Sequence, residues 1–341
     1  MKFLKLFLVV FVITIIAFYI KNPASNYYTI TGETMGTYYS IKINTVKENN
    51  LLGKQVKEKF ELINKQMSVF DSTSEISAIN QADAGIWIPL SDEMADIFKT
   101  SKKVYDISNG YFDPTVGKLV DMWGFGTIKK QSIPTKEQIQ DALKNSGFNK
   151  LEFSNDFKQV KKLNANINLN LSAIAKGYGV DKIFELLDKN GYTDFVVEIG
   201  GEVRAKGKRS NTATGWNIGI ANPQTQTNSY VISLINRSVA TSGDYQNFYE
   251  VDGKKYSHTI SPLTGEPVQH AIASATIFYD DCATADALAT ALMAMGDKKA
   301  LDFANRNNIQ AIFFLRTNND TLNVVASDAA KKLIQTKNIK N

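Results

Sequence analysis

The sequence predicts an α+β fold, with helices early in the chain and mostly antiparallel strands late. Apolar residues follow a helical spacing over much of residues 51–189, and they change to a period of two after residue 195. Helices and strands do not alternate regularly, which argues against a doubly wound parallel sheet. No break in composition follows residue 26. We therefore expect one compact domain over residues 29–341.

The first elements follow from spacing and from turn residues. Residues 27–43 predict two strands joined by a tight turn at Gly36, since Ile41 and Ile43 alternate with polar neighbours. Helical spacing covers residues 51–67, 91–108, 135–145 and 172–189. Ser91 suits the N-cap position of the second of these helices, and Gly147 ends the third.

The later elements are mainly strands. The period of two predicts strands at residues 195–199, 216–220, 230–239, 255–260 and 272–278. A helix follows at residues 284–295, with a further helical stretch at residues 298–305. Two last strands, at residues 309–315 and 322–326, complete the predicted fold.

Composition excludes several functional classes. The chain has 341 residues, a net charge of +5 and one cysteine, Cys282, which excludes an internal disulfide and a cysteine-based zinc site. The positive charge is spread along the chain, without a compact Lys/Arg run interleaved with aromatic residues. We therefore expect no binding to nucleic acid.

The N-terminal residues 1–22 form a separate unit. Lys2 and Lys5 precede an apolar run at residues 6–20, a pattern typical of a signal peptide or a membrane anchor, and residues 23–28 form a linker. No good cleavage site follows the run, which favours a retained anchor. The lysines before the run favour an external domain. We expect a domain on the periplasmic or extracytoplasmic side of the cell inner membrane.

Two late segments carry groups suited to phosphoryl chemistry. Residues 256–265 (YSHTISPLTG) place His258 beside a turn, where an imidazole could move a proton. Asp286 and Thr290 lie four residues apart on one face of a predicted helix, among small alanines that leave room for an ion, and such oxygen ligands favour Mg²⁺. Each has a structural alternative: a hydrogen-bonded histidine of the fold, and an aspartate that complements a helix dipole.

A third segment, residues 168–178 (NLNLSAIAKGY), leads from a polar strand end into a helix. The N–H groups at a helix start favour an anion such as a pyrophosphate. Lys176 in the first turn opposes the helix dipole, so it is better explained by a bound anion than by water. Motifs of the common nucleotide-binding folds are absent from the sequence.

Four further segments are ambiguous when each is taken alone. Residues 32–39 suit a close approach to a flat ligand or a plain hairpin turn, and residues 67–77 suit a helix cap. Residues 110–126, with aromatic residues between glycines, suit a ring-stacking pocket or a bulky corner of the core. The consecutive glycines in residues 198–207 suit a β-bulge or a binding loop.

Taken in order, these seven segments resemble the ApbE family, the FAD:protein FMN transferases, over residues 29–315. The resemblance implies an exported, Mg²⁺-dependent enzyme that cleaves FAD and transfers FMN to a threonine hydroxyl of an acceptor protein, releasing AMP. It implies that typical acceptors are flavin-carrying subunits of membrane redox pumps. The implied Mg²⁺ ligands are the Ala173 carbonyl, Asp286 and Thr290, and His258 is our candidate general base. The implied FAD contacts are Met35, Phe70, Tyr111, Phe112, Asp113, Asn170, Lys176 and Ile260.

The chain departs from the family pattern at three positions. Asn170 and Ser261 stand where many members have aspartate, and Phe70 replaces a frequent tyrosine. Two other functions stay open at this point. One is an Mg²⁺-dependent FAD pyrophosphatase with water as the acceptor, and the other is a non-catalytic flavin-binding protein.

Overall fold

The computed structural model describes residues 27–45, 47–128, 133–209, 214–245, 247–319 and 321–335. The strands in this part of the chain are β1 Tyr28–Thr34, β2 Thr37–Ile43, β3 Trp87–Pro89, β4 Leu151–Phe153, β5 Gln159–Lys162, β6 Phe195–Ile199, β7 Glu202–Lys206, β8 Trp216–Ala221, β9 Asn228–Leu234, β10 Arg237–Gly243, β11 Phe248–Val251, β12 Lys254–Ser257, β13 Ile272–Tyr279, β14 Gln310–Arg316 and β15 Leu322–Ala326. The helices are α1 Asn50–Met67, α2 Glu75–Gln81, α3 Asp92–Ile107, α4 Gly117–Met122, α5 Lys136–Asn145, α6 Ala175–Lys189, α7 Cys282–Met295, α8 Asp297–Arg306 and α9 Lys331–Gln335.

An antiparallel sheet forms the centre of the fold. Its strand order is β1-β2-β6-β7-β10-β13-β14-β15, and each strand pairs antiparallel with its neighbours. Separate small sheets are formed by β3-β5-β4, by β8-β9 and by β11-β12. This arrangement confirms the predicted α+β class with mostly antiparallel strands late in the chain.

The two faces of the sheet bury different elements. On one face, α1 and α6 pack on β2 and β6 through residues such as Leu52, Ile183 and Val197. Next to them α7 covers β10 and β13, and every residue of α7 except Thr290 is buried. On the other face, the β8–β9 hairpin and α9 pack against the sheet, and Trp216 of β8 and Phe314 of β14 belong to the same apolar cluster. The residues predicted for chemistry on α6 and α7 therefore share the helical face.

Local signals explain where several helices begin. Asn49 and Ser91 each accept a backbone N–H as N-caps of α1 and α3, as Ser91 was expected to do. Thr135 and Gln138 form a capping box at the start of α5. These bonds use donors that would otherwise lack partners at the helix ends.

Some boundaries differ from the sequence prediction. The single strand expected at residues 230–239 is two strands, β9 and β10, because Asn236 has a φ of +49° and turns the chain back. The strand expected at residues 255–260 ends at Ser257, and Ile260 makes only an isolated bridge with Pro267. The helix expected from residue 172 begins at Ala175.

The predicted N-terminal unit, residues 1–22, and most of the predicted linker lie outside the described residues. From residue 27 onward, no described helix combines the length and apolar character needed to cross a membrane.

Candidate active site

Three charged side chains from three elements meet at the start of α6. Lys176 lies in the first turn of this helix, with its ammonium 2.6 Å from Glu202 Oε2 at the start of β7. Asp286 on α7 accepts the backbone N–H of Gly177, with 3.0 Å between N and Oδ2. Glu202 and Asp286 are buried, whereas 31% of the Lys176 side-chain surface is exposed. The site therefore places two buried carboxylates around one lysine whose side chain is partly exposed.

The charges of this cluster do not balance. Burial raises the pKa of Glu202 to about 7 and also raises the pKa of Asp286, although Lys176 opposes both changes. Burial would lower the pKa of Lys176, but the two carboxylates outweigh it and raise that pKa. A further cation beside Asp286 would stabilise the ionised carboxylates. The cluster is therefore suited to a divalent cation.

The predicted Mg²⁺ ligands lie on both sides of the contact between α6 and α7. In a regular helix the Gly177 N–H would bond to the carbonyl of Ala173, but here it donates to Asp286. Thr290, one turn after Asp286, has its Oγ1 3.1 Å from Ser242 Oγ on β10. A carbonyl, a carboxylate and a hydroxyl are the hard oxygen ligands that Mg²⁺ prefers. In the described part of the chain, no group of three or more His, Cys, Asp or Glu side chains is placed to hold a metal ion. The predicted set is of a different kind, because Asp286 is its only ligand of these residue types.

His258 directly follows β12 and is oriented by a backbone carbonyl. Its Nδ1 is 3.0 Å from the oxygen of Asn247. Because a carbonyl can only accept, the neutral ring carries its proton on Nδ1, which leaves the Nε2 lone pair able to accept a proton. Burial lowers the pKa of His258, against smaller opposing effects of the Asn247 carbonyl and of Asp244, and the Lys176 ammonium adds the smallest effect, which also lowers the pKa. The imidazole is therefore neutral at pH 7, as a general base must be.

The turn after His258 is closed by its own side chains. Ile260 is buried beside α4 and α5 with Leu119 and Ile139. Ser261 Oγ accepts the N–H of Thr264 at 3.3 Å. An aspartate would accept the same N–H, so the departure at Ser261 keeps the local turn.

Two predicted FAD contacts differ in their surroundings. Met35 has a φ of +51° in the turn between β1 and β2 and packs over Gly179 of α6, where an added Cβ would come within 2.8 Å of its Cε. Phe70 follows α1 and exposes 64% of its surface. Met35 thus lies one turn along α6 from Lys176.

The segment from Tyr111 to Asp113 is tied to the fold by its side chains. The Tyr111 hydroxyl accepts from Lys299 at 3.1 Å, and Phe112 is buried in the core. Asp113 accepts the N–H and the hydroxyl of Thr115, and burial raises the pKa of this carboxyl. A contact of Phe112 with FAD would therefore involve its backbone.

Asn170 lies beside a cavity of about 230 Å³. Its Oδ1 accepts the N–H of Ser172 at 2.9 Å, and its own N–H donates to the Pro114 carbonyl at 2.7 Å. An aspartate could accept the same bond, so this departure also keeps the local turn. The remaining lining residues are Val69, Ser77, Asn80, Gln81, Asp121, Thr127 and Asn168. Pockets for drug-sized ligands span roughly 300–1,000 Å³, so this cavity can hold only part of a dinucleotide such as FAD.

A larger cavity, about 510 Å³, lies on the other face of the sheet beneath the β8–β9 hairpin. Val196 and Trp216 are among its lining residues, and none of the predicted site residues is. We therefore place the candidate active site on the helical face, where the charged groups converge.

Sequence reasoning did not single out three residues of this region. They are Glu202, which contacts Lys176, Ser242, which contacts Thr290, and Asp181, which contacts the start of α7. For Glu202, the available signal was an acidic residue directly after the pair Gly200-Gly201. The left-handed φ angles of these glycines, +56° and +100°, turn the chain so that Glu202 begins β7 beside α6.

Comparisons with known proteins show which family the chain resembles. A sequence profile described as "ApbE family" matches residues 35–313. The chain is 35% identical over 320 residues to the FAD:protein FMN transferase of Haemophilus influenzae, covering 91% of this chain and 92% of that protein. It is 33% identical to the protein of the same name from Vibrio cholerae, covering 92% and 94%.

Solved structures show the same fold. The flavinyl transferase ApbE of Pseudomonas stutzeri, in its apo form, superposes with a TM-score of 0.84 at 31% identity, covering 91% of this chain and 98% of that one. The flavin transferase ApbE from Vibrio cholerae gives a TM-score of 0.82 at 32% identity, covering 90% and 99%.

Proposed function

The chain belongs to the ApbE family, and from this premise we propose that it transfers FMN from FAD to a threonine hydroxyl of an acceptor protein, with AMP as the leaving group and Mg²⁺ as the metal. The names of the relatives support the transfer of FMN from FAD to a protein. The observation that carries the proposal is the cluster of Lys176, Glu202 and Asp286 with a neutral imidazole nearby. This combination suits attack on a pyrophosphate.

The proposed reaction replaces one ester at phosphorus with another. The threonine Oγ attacks the phosphorus on the FMN side of the pyrophosphate, the bond from that phosphorus to the bridging oxygen breaks, and AMP leaves with this oxygen. His258 Nε2 takes the proton of the threonine hydroxyl. Its Nδ1–H bond to the Asn247 carbonyl holds the ring in the tautomer that this step needs.

Lys176 would contribute positive charge to the departure of the leaving group. Its ammonium, held by Glu202, can contact the pyrophosphate and stabilise negative charge as the leaving group departs. The start of α6 adds the positive end of a helix dipole. Ala173, Asp286 and Thr290 would hold the metal, which when bound would neutralise charge on the phosphates.

A mass measurement tests this function. The purified full-length protein is incubated with FAD, Mg²⁺ and a candidate acceptor, a flavin-carrying subunit of a membrane redox pump, and intact masses are recorded. We expect the acceptor to gain one FMN on a threonine, with AMP released in equal amount, and neither product to form in EDTA. His258→Ala should slow the transfer about 10²–10⁴-fold and still bind FAD.

The other functions predict different products. Free FMN and AMP with an unmodified acceptor would favour an FAD pyrophosphatase. FAD recovered intact would contradict catalysis altogether. Transfer that continued in EDTA would contradict the metal requirement alone.

We also propose that the domain lies on the extracytoplasmic side of the inner membrane, anchored by residues 1–22. The apolar run after Lys2 and Lys5 supports this location. Protease added to intact spheroplasts should degrade the domain. Protection of the domain until the membrane is lysed would contradict the location.

A further inference from the structure

A buried aspartate on α6 is bonded to the first residues of α7. Asp181 accepts the backbone N–H of Cys282 at 2.9 Å through Oδ1 and that of Ala283 at 2.8 Å through Oδ2. Its Oδ1 also accepts a bond from Arg204 on β7, at 2.6 Å. Only 6% of the Asp181 surface is exposed. One side chain thus connects α6, α7 and the central sheet.

These bonds complete the start of α7. The first N–H groups of a helix have no partner within it. Asp281, the N-cap of α7, accepts the N–H of Thr284 at 2.7 Å. Asp181 provides the acceptors for Cys282 and Ala283, so the position of α7 is set by a residue of another helix.

A second contact fixes the two helices close together. A Cβ added to Gly177 would come within 2.3 Å of the Cys282 carbonyl oxygen, so the backbones of α6 and α7 touch here. The candidate cation ligands are divided across this contact, with Ala173 just before α6 and Asp286 and Thr290 on α7. The separation of the ligands therefore depends on how α7 is held against α6.

We propose that Asp181 is a positioning residue for the cation site, holding the first turn of α7 so that Asp286 and Thr290 keep their distance from the start of α6. The inference rests on the proposed function, since that function supplies the cation. Asp181 does not touch the reacting groups. Its effect is transmitted through the Cys282 and Ala283 N–H groups to the next two turns of the helix.

The test is Mg²⁺ binding to the full-length protein, measured by calorimetry without FAD. In Asp181→Asn an amide group replaces one acceptor oxygen, so either an α7 N–H or Arg204 loses its partner. Substitution of a residue that orients metal ligands typically weakens metal binding by roughly 10–100-fold, and we expect a loss in this range. FAD binding in EDTA should remain unchanged.

The matched control is Asp281→Asn. It removes one negative charge from the same end of α7, but asparagine caps a helix about as well as aspartate. We expect wild-type Mg²⁺ affinity for this control. An equal loss in both variants would show that net charge matters and would overturn the inference, as would wild-type affinity in Asp181→Asn.

Two further outcomes are informative. If Asp181→Asn does not fold, Arg204→Gln tests the same point, because it removes the ion pair between Asp181 and the central sheet. This variant should also weaken Mg²⁺ binding, and an unchanged Mg²⁺ affinity would overturn the inference. A wild-type protein that transferred FMN without binding Mg²⁺ would overturn the inference and leave FMN transfer standing.

Discussion

Gly177→Ala should separate the two helices that form the candidate active site. The added Cβ would lie 2.3 Å from the Cys282 carbonyl oxygen and 2.8 Å from the Asp286 Cβ. The first distance must lengthen by about 1 Å to reach the 3.4 Å of an ordinary contact. Neither obstacle is a flexible chain end, so α6 and α7 must move apart and the bond from Gly177 N–H to Asp286 must weaken.

The magnitude follows from three opposing effects. Alanine favours a helix by about 1 kcal/mol over glycine, overpacking costs about 1–3 kcal/mol, and a lost hydrogen bond to a charged group costs about 1.5–3 kcal/mol. The unfolding free energy should therefore fall by about 1.5–5 kcal/mol. Since a displacement of about 1 Å in a site can cost 10²-fold in rate, FMN transfer should fall by about that factor.

Urea unfolding and the rate of FMN transfer measure the two effects. Gly53→Ala is the matched control, because Gly53 lies in α1 with nothing within 4 Å of an added Cβ. This control should gain up to about 1 kcal/mol and transfer FMN at the wild-type rate. Our reasoning is refuted if Gly177→Ala gains stability as Gly53→Ala does and keeps its activity.

Three further predictions concern charged groups. Because burial lowers the pKa of His258, the acid limb of the kcat/KM profile for FMN transfer should lie below pH 6.5, and this limb should be absent in His258→Ala. Arg316→Ala leaves the buried carboxylate of Asp244 without its main partner, so urea unfolding should show that the unfolding free energy falls by about 1.5–3 kcal/mol. The control Arg306→Ala breaks an exposed ion pair and should change the unfolding free energy by less than about 1 kcal/mol. Because burial raises the pKa of Glu202 to about 7, the folded protein favours the protonated carboxyl. The stability that Glu202 contributes is therefore fully present below pH 4.5 and is lost as the pH rises through 7. We expect the unfolding free energy of Glu202→Gln minus that of the wild type, both measured in EDTA, to increase between pH 5 and pH 8. A difference that stayed constant with pH would contradict the raised pKa of Glu202.

The sequence alone determined the class of the fold and most of its longer elements. Helices α1, α3, α5 and α7 were predicted within a few residues. The first three repeat an apolar face and α7 is an almost continuous apolar run, and Ser91 and Gly147 marked ends of α3 and α5. The strand predicted at residues 230–239 was wrong, since apolar alternation continued across the turn at Asn236. The start of α2 was indicated only by the helix cap within residues 67–77. Short strands such as β3 and β5 were missed because they pair with each other although they are distant in sequence, and a local pattern carries no information about such partners.

The candidate site divides in the same way. Lys176, His258 and Asp286 stood out in the sequence because each is a reactive residue type in an unusual local setting. Glu202 and Asp181 did not, since an acidic residue on a strand or in a helix is ordinary until its burial is known. Only the tertiary structure shows that Glu202 is 2.6 Å from Lys176 and that Asp181 accepts two N–H groups from a helix about 100 residues later. Local spacing determines which residues can form a helix or strand, but burial and charge pairing depend on which elements pack together, and that is decided by the whole chain.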